Sequence, residues 1–348
     1  MKFPSALILA AAISAAFYCG TSHCSASPIG DYTKRIEQNP KDDAAYLERG
    51  KLFQEKGNLR EAIADLTKAI ELKPHNERAY YLRGVTYYKE GSGRQALTDF
   101  IEAIRINPKA VDAMRGAADT YNYNLKAYPQ AIVTYTNCLR LSPKDWFVHQ
   151  CRGEAYQAAG KPLDALRDYT EASRLRPSES GPYVKRAELY AQAKQYREAL
   201  GDFAAAARAN PKDWYPRYRR AQMFYDLGQY QPAMIALTEA VSLNPKAQEC
   251  YSLMGSCDWQ VKQFEKGAED FGKAISCDPQ NSLCYRNRAD CYAQIARYDD
   301  AIADYTRAIQ QYPKDTDLLL KRADMYHKAN RPDLEEQDRN AAKAIAGK

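Results

Sequence analysis

Nine prolines recur along the chain at almost constant spacing: Pro40, Pro74, Pro108, Pro143, Pro177, Pro211, Pro245, Pro279 and Pro313. Seven of the eight intervals are 34 residues and the other is 35. A period of this length calls for small units stacked on one another rather than one closed core. It therefore displaces the two or three globular domains that 348 residues would otherwise suggest.

A single period reads as helix, turn, helix and stop. Between Lys41 and Pro74, Tyr46, Gly50 and Phe53 fall on one helical face. Lys56-Gly57-Asn58 interrupts with turn chemistry, and Ala62, Ile63, Leu66, Ala69 and Ile70 form a second stripe. Pro74 ends the second helix, because proline has no amide donor and pushes the preceding residue out of helical geometry. Asp42, just after Pro40, is placed to cap the next helix.

The skeleton repeats. Small residues return at Gly50, Gly84, Ala118, Gly153, Ala187, Ala221, Gly255, Ala289 and Ala323. Large ones follow three further on, except at Asp258. In the second helix, Ala62, Ala96, Ala131, Ala165, Ala199, Ala233, Gly267 and Ala301 lie four residues before Leu66, Phe100, Tyr135, Tyr169, Phe203, Leu237, Phe271 and Tyr305. Small residues let helices approach and large ones fill the crossings. The third unit carries one extra residue near Asn122-Tyr123-Asn124-Leu125, expected in its inter-helix turn.

This alternation at this period resembles the tetratricopeptide repeat family, from about Asp31 to Lys348. The resemblance implies an all-α, right-handed superhelical solenoid of antiparallel helix pairs, with first helices lining a concave groove. Residues 27–40 read as an orphan second helix, 41–313 as eight full repeats, and 314–348 as a degenerate ninth that caps the stack, with Glu335 and Arg339 at formerly apolar places.

Residues 1–26 differ from the rest. Lys2, the apolar run Leu7–Tyr18 and the small residues Ser22, Ser25, Ala26 and Ser27 follow the order of a secretory signal peptide, with cleavage expected near Ala26. An uncleaved anchor is the alternative, although the run is shorter than the ~20 residues of a comfortable span. A lipidated Cys19 fits less well, because Tyr18 precedes it. The expected location is secreted or periplasmic, or the lumen of the endoplasmic reticulum in a eukaryote.

Charges repeat too. Arg stands at Arg49, Arg83, Arg152, Arg186, Arg220, Arg288 and Arg322, and Asp at Asp31, Asp65, Asp99, Asp168, Asp202, Asp270, Asp304 and Asp338. Pairing within a unit and pairing to the next unit match equally well, and either gives a structural ion pair. The net charge of +6 comes from 50 basic and 44 acidic residues dispersed along the chain, which argues against nucleic-acid binding.

Catalysis finds no foothold. His75, His149 and His327 lie in different repeats, and no His-Glu-x-x-His, Gly-x-Ser-x-Gly or phosphate-binding glycine loop occurs. No enzyme activity, cofactor or metal site is expected, since no Cys-x-x-Cys occurs either. Beyond the leader stand Cys138, Cys151, Cys250, Cys257, Cys277, Cys284 and Cys291. The pairs seven apart are about 10.5 Å from each other along a helix, beyond the ~7 Å Cα limit of a disulfide. Cys277, at the end of a second helix, is expected to bridge Cys284 across the Asp278-Pro279 turn, with Cys250–Cys277 as the close alternative and seven free thiols as the other outcome.

By resemblance, the groove carries the variable first-helix residues. These are Arg78, Tyr81, Tyr88 and Lys89 in the second unit, Tyr215, Tyr218, Arg219, Gln222 and Tyr225 in the sixth, and Trp259 in the seventh. Tyr, Trp and Arg are enriched at binding hot spots. Some family members clamp acidic chain ends with a recurring Asn. Here that place holds Lys51, Val85, Asp119, Glu154, Glu188, Gln222, Ser256, Asp290 and Asp324, so no such clamp is expected and a basic or polar segment would suit better. The expected function is an exported scaffold that binds protein or peptide partners through its concave groove, in assembly of an envelope or extracellular complex. The alternatives are a lumenal or periplasmic co-chaperone holding unfolded clients and, less favoured, an enzyme or enzyme subunit. No nucleic acid or small-molecule cofactor is expected, and a membrane only with the leader retained.

Overall fold

The 34-residue period becomes a succession of paired helices in a computed structural model that describes residues 28–347. The expected signal peptide over 1–26, with Cys19 and Cys24, lies outside the described residues. Helix α1 (Pro28–Gln38) comes first. Repeats one to four follow as α2 (Asp43–Glu55) with α3 (Leu59–Leu72), α4 (Glu77–Glu90) with α5 (Gly93–Ile106), α6 (Val111–Asp119) with α7 (Tyr128–Leu141), and α8 (Trp146–Ala158) with α9 (Pro162–Leu175). Repeats five to nine are α10 (Ser180–Gln192) with α11 (Tyr196–Ala209), α12 (Tyr215–Asp226) with α13 (Tyr230–Leu243), α14 (Gln248–Gln260) with α15 (Phe264–Cys277), α16 (Ser282–Gln294) with α17 (Tyr298–Gln311), and α18 (Thr316–Lys328) with α19 (Pro332–Ala346). The described residues are all-α, without strands, and form stacked antiparallel helix pairs of the tetratricopeptide type. Two compact units divide after Ala113.

Local chemistry sets the helix ends. Asp42, Asn76, Asp145, Asn281 and Asp315 accept backbone N–H bonds at the starts of first helices. Each such cap contributes about 1 kcal/mol. At the other end, the residues just before the prolines (Lys73, Asn107, Ser142, Arg176, Asn210, Asn244, Asp278 and Tyr312) have ψ between 70° and 96°, the extended geometry that a following proline enforces. Each inter-helix turn contains one residue at positive φ. Four are Gly57, Gly91, Gly160 and Gly228, and five are Lys126, Lys194, Lys262, Ala296 and Asn330.

The extra residue of the third repeat is absorbed differently from expectation. It widens the end of the first helix into a π-helical segment, Thr120–Asn124, in which the Leu125 amide donates to the Thr120 carbonyl. The wider turn keeps the backbone donors paired, so the following turn and α7 keep their register.

The repeated large residues of the second helices are the core. Leu66 and Phe100 in the first unit, and Tyr135, Tyr169, Phe203, Leu237, Phe271 and Tyr305 in the second, are almost fully buried. The small first-helix residues make room for them: a methyl group on Gly153 would lie 2.7 Å from the Tyr169 ring. Small against large is thus a steric requirement here.

The arginine and aspartate ladder pairs within repeats. Arg49 grips Asp65, Arg83 grips Asp99, Arg152 grips Asp168, Arg186 grips Asp202, Arg288 grips Asp304 and Arg322 grips Asp338, each through two nitrogens at 2.7–2.8 Å. The remaining guanidinium nitrogen reaches back to the preceding second helix, donating to Thr33, Thr67, Thr136, Thr170 or Thr306. One arginine therefore ties three helices together. At Arg288 the threonine place is Gly272, and only the aspartate remains.

The expected Cys277–Cys284 disulfide is not formed, and neither is Cys250–Cys277: all seven described cysteines are free. Cys277 is exposed, with its thiol toward the Pro245 carbonyl at 3.8 Å. Cys284 is buried and accepts from Gln248 at 3.4 Å. Proximity along the chain did not bring the two sulfurs to the same side of the α15–α16 turn. Burial pushes the Cys250, Cys257 and Cys291 thiols up to about 12, so they pack as small apolar side chains.

Candidate protein-binding surface

Within each unit, neighbouring first helices touch one another, as α2 does with α4, α12 with α14 and α14 with α16. The candidate binding residues lie on these first helices. Those of α4 belong to the first unit and those of α12 and α14 to the second, so they make two separate sets.

In the first unit, Arg78 and Lys89 are exposed, and Tyr81 and Tyr88 are half-buried. Tyr81 packs against the core of α2, α3 and α4, with its ring 6.1 Å from that of Phe100. It serves packing as much as recognition.

In the second unit the side chains interlock. Tyr215 donates to Glu188 of α10 at 3.0 Å, and Arg219 donates to the Tyr215 hydroxyl at 3.1 Å. The Arg219 guanidinium lies over the rings of Phe203 at 5.7 Å and Tyr215 at 5.9 Å. Its Nε is buried without a hydrogen-bond partner among the described residues. Tyr218 stands between Tyr215, 6.4 Å away, and Trp214, 5.8 Å away. Burial raises the phenols of both Tyr215 and Tyr218 above their ordinary value, which keeps them neutral donors. Gln222 is half-buried one turn further along. The Tyr225 hydroxyl accepts from Gln260 of α14 at 3.3 Å, and its ring meets Tyr230 at 5.6 Å. Trp259 packs edge-on against Phe264 at 5.1 Å and covers the Phe271–Cys291 cluster.

The acidic row beside these residues is already partnered. Glu154 accepts from Tyr123 at 2.6 Å, Asp290 from Tyr305 at 2.6 Å and from Lys321 at 2.9 Å, and Asp324 from Arg339 at 2.9 Å. Asp119 is buried and accepts from Tyr135. Burial pushes its carboxyl up to about 6, and the Tyr135 bond only partly offsets that. The row therefore carries less open negative charge than its sequence suggests. For three of the acids the sequence carries a signal of the pairing, a basic residue 31 positions on: Lys185 lies 3.9 Å from Glu154, Arg219 3.7 Å from Glu188 and Lys321 2.9 Å from Asp290.

Chemically, these helices offer aromatic rings and fixed hydroxyl and guanidinium donors. Among the described residues, no three His, Cys, Asp or Glu side chains gather where they could hold a metal ion. None of the described helices is long and apolar enough to cross a membrane.

Comparisons with known proteins agree with this architecture. A family model described as "TPR repeat" matches residues 52–91, and models described as "Tetratricopeptide repeat" match 77–110, 184–248 and 271–303. No curated protein matches the chain. A tetratricopeptide repeat protein from Parabacteroides merdae is similar in structure at a TM-score of 0.51 and 22% identity, over 71% of this chain and 97% of that one. PilF of Pseudomonas aeruginosa superposes at a TM-score of 0.52 and 18% identity, over 63% of this chain and 100% of its own. Identities this low speak to the fold.

Proposed function

Because this chain belongs to the tetratricopeptide repeat family, we propose that it is an exported protein-binding scaffold whose first-helix face from α10 to α14 receives an extended segment or helix of a partner. The observation that carries this reading is the ordering of Arg219. Rings flank the guanidinium, and Tyr215 and Glu188 fix one of its nitrogens. A long cationic side chain held in place loses little entropy on binding, and arginine among tyrosines is the composition of a hot spot. Export to an envelope or extracellular complex rests on the order of residues 1–26, a basic start, an apolar run and small residues.

A photo-crosslinking residue at Gln222 tests the reading. It should capture one stoichiometric partner, while the same residue at Val133, 62% exposed on the second helix α7, should not. Arg219→Glu should then weaken that partner at least tenfold. Equal capture at both positions, or promiscuous capture of denatured clients alone, would replace the scaffold by a non-specific surface or by a holding chaperone.

A further inference from the structure

The sixth repeat breaks the arginine ladder in an informative way. Arg220 occupies the ladder place on α12, but the aspartate place on α13 is Ala236 and the threonine place on α11 is Ala204. Arg220 has lost every oxygen that its six counterparts hold. Its guanidinium rests over the Phe224 ring at 5.2 Å, and among the described residues it makes no hydrogen bond or ion pair. Beside it is a cavity of about 140 Å³, lined by Arg220, Phe224, Pro232, Ile235, Ala236 and Glu239. Ile235 on its rim is 64% exposed.

We propose that this cavity is a second binding site, one that takes an aspartate or glutamate side chain of a protein partner in place of the missing aspartate. The chain supplies six worked examples of the complex. Wherever a carboxylate is available, this same arginine holds it through two nitrogens at 2.7–2.8 Å. A planar guanidinium matched to a carboxylate is the strongest charge-assisted pairing available to side chains, and lysine does not reproduce it. The cavity is the size of a side chain, well below the 300–1,000 Å³ or so of drug-like pockets. Phe224, Pro232 and Ile235 provide an apolar wall for the methylenes of the entering residue. Glu239 is the opposing charge on the rim, and Arg217 stands 3.4 Å from it, so the negative charge there is neutralised. Neither residue occupies the place where the ladder aspartates sit.

The site is distinct from the first-helix face. Arg220 is two residues from both Tyr218 and Gln222, and at 3.6 residues per turn it points to the other side of α12. The two readings therefore stand or fall separately.

The test uses the full chain labelled at arginine nitrogens and isoleucine methyls. N-acetyl-glutamate N-methylamide is titrated in, with the corresponding glutamine compound as the uncharged control and acetate as the small-carboxylate control. The glutamate probe should shift the Arg220 Nε–H and the Ile235 methyl saturably, and the glutamine probe should not. Arg220→Lys should weaken the Ile235 response at least tenfold. Ala236→Asp should fill the site from within. It should move the Arg220 signal to the ladder arginines' position without any probe and abolish the Ile235 response. Equal shifts from the glutamine probe, no response to the glutamate probe, or an undiminished response in Ala236→Asp overturns the proposal. Acetate binding as tightly as the glutamate probe overturns the assignment to a partner's side chain.

Discussion

The fourth and sixth repeats share a backbone and differ in what locks it. In the fourth, Arg152 binds Asp168 and Thr136, His149 adds a bond to the same carboxylate at 2.9 Å, and Gly153 lets the buried Tyr169 ring close against α8. In the sixth, Arg220 has no carboxylate, and Ala221 faces Leu237 in an ordinary apolar core. Both have a glycine turn at positive φ and a second helix of 14 residues. The ladder is therefore not what shapes a repeat. Small against large and the terminal proline do that, while the ion pair adds a local lock whose absence frees an arginine.

The largest expected contrast comes from removing the lock. Asp168→Ala leaves the Arg152 guanidinium without its counter-charge and His149 without its hydrogen-bond partner, and breaking a pair this buried costs roughly 3 kcal/mol. Arg220→Ala, which removes a guanidinium without such a partner, should stay within about 1 kcal/mol. Hydrogen exchange suits a stack that opens locally: α8 and α9 amides should lose protection in the first variant, and α12 and α13 should change little in the second. Equal losses would mean that Arg220 is anchored by something other than its ring contact.

Acid should sharpen the same contrast. Burial on its own would raise the Asp168 carboxyl, but the bonds from Arg152 and His149 outweigh it and hold it below its ordinary value of 3.8. A carboxyl depressed in the folded state stabilises fully above the unfolded value and stops doing so as pH falls through the folded one. The stability gap between wild type and Asp168→Asn, read from urea midpoints, should be flat above about pH 5 and close below about pH 4. A gap that widens in acid would reverse the assigned sign.

Steric fit gives a smaller effect. A methyl at Gly153 would press on Tyr169, whose hydroxyl is held by Gln157 at 2.9 Å and whose ring is fully buried. Gly153→Ala should therefore cost about 1–3 kcal/mol. Adding Tyr169→Leu, which copies the sixth repeat's Ala221–Leu237 pair, should recover part of it by chemical denaturation. No recovery would show that the aromatic ring is needed for more than volume.

These contrasts also show what a sequence can specify. The proline ladder and the small and large positions fixed the helices, the turns and the core, because each acts within a few residues of itself. Arg49 could have paired with Asp31 or Asp65, and the ladder kept both options open. In space the arginine does reach both ways, to Asp65 and to Thr33, two residues after Asp31. The disulfide failed because helical spacing gives position along an axis more reliably than direction around it, and Cys277 points outward. The candidate binding residues all lie on first helices, but their contacts were hidden. Tyr215 meets Glu188 across 27 residues and Gln260 meets Tyr225 across 35, contacts that depend on side-chain direction across neighbouring repeats.

The smallest effect tests whether the two backbones really are equivalent. Gly160 and Gly228 sit at φ of 73° and 70°, and a methyl group on either would meet nothing within 4 Å. Alanine at each should cost only the left-handed backbone penalty, about 1 kcal/mol. Lys194 and Lys262 already bear that conformation, at φ of 58° and 60°, at the same place in the fifth and seventh repeats. Gly160→Ala and Gly228→Ala should therefore shift the denaturation midpoint by the same small amount. If Gly160→Ala costs clearly more, the Arg152–Asp168 lock reaches into the turn and the fourth repeat's backbone is not independent of its ladder. If the two agree, the lock is an addition to a finished repeat, and a repeat can give up its aspartate and leave its arginine for another molecule.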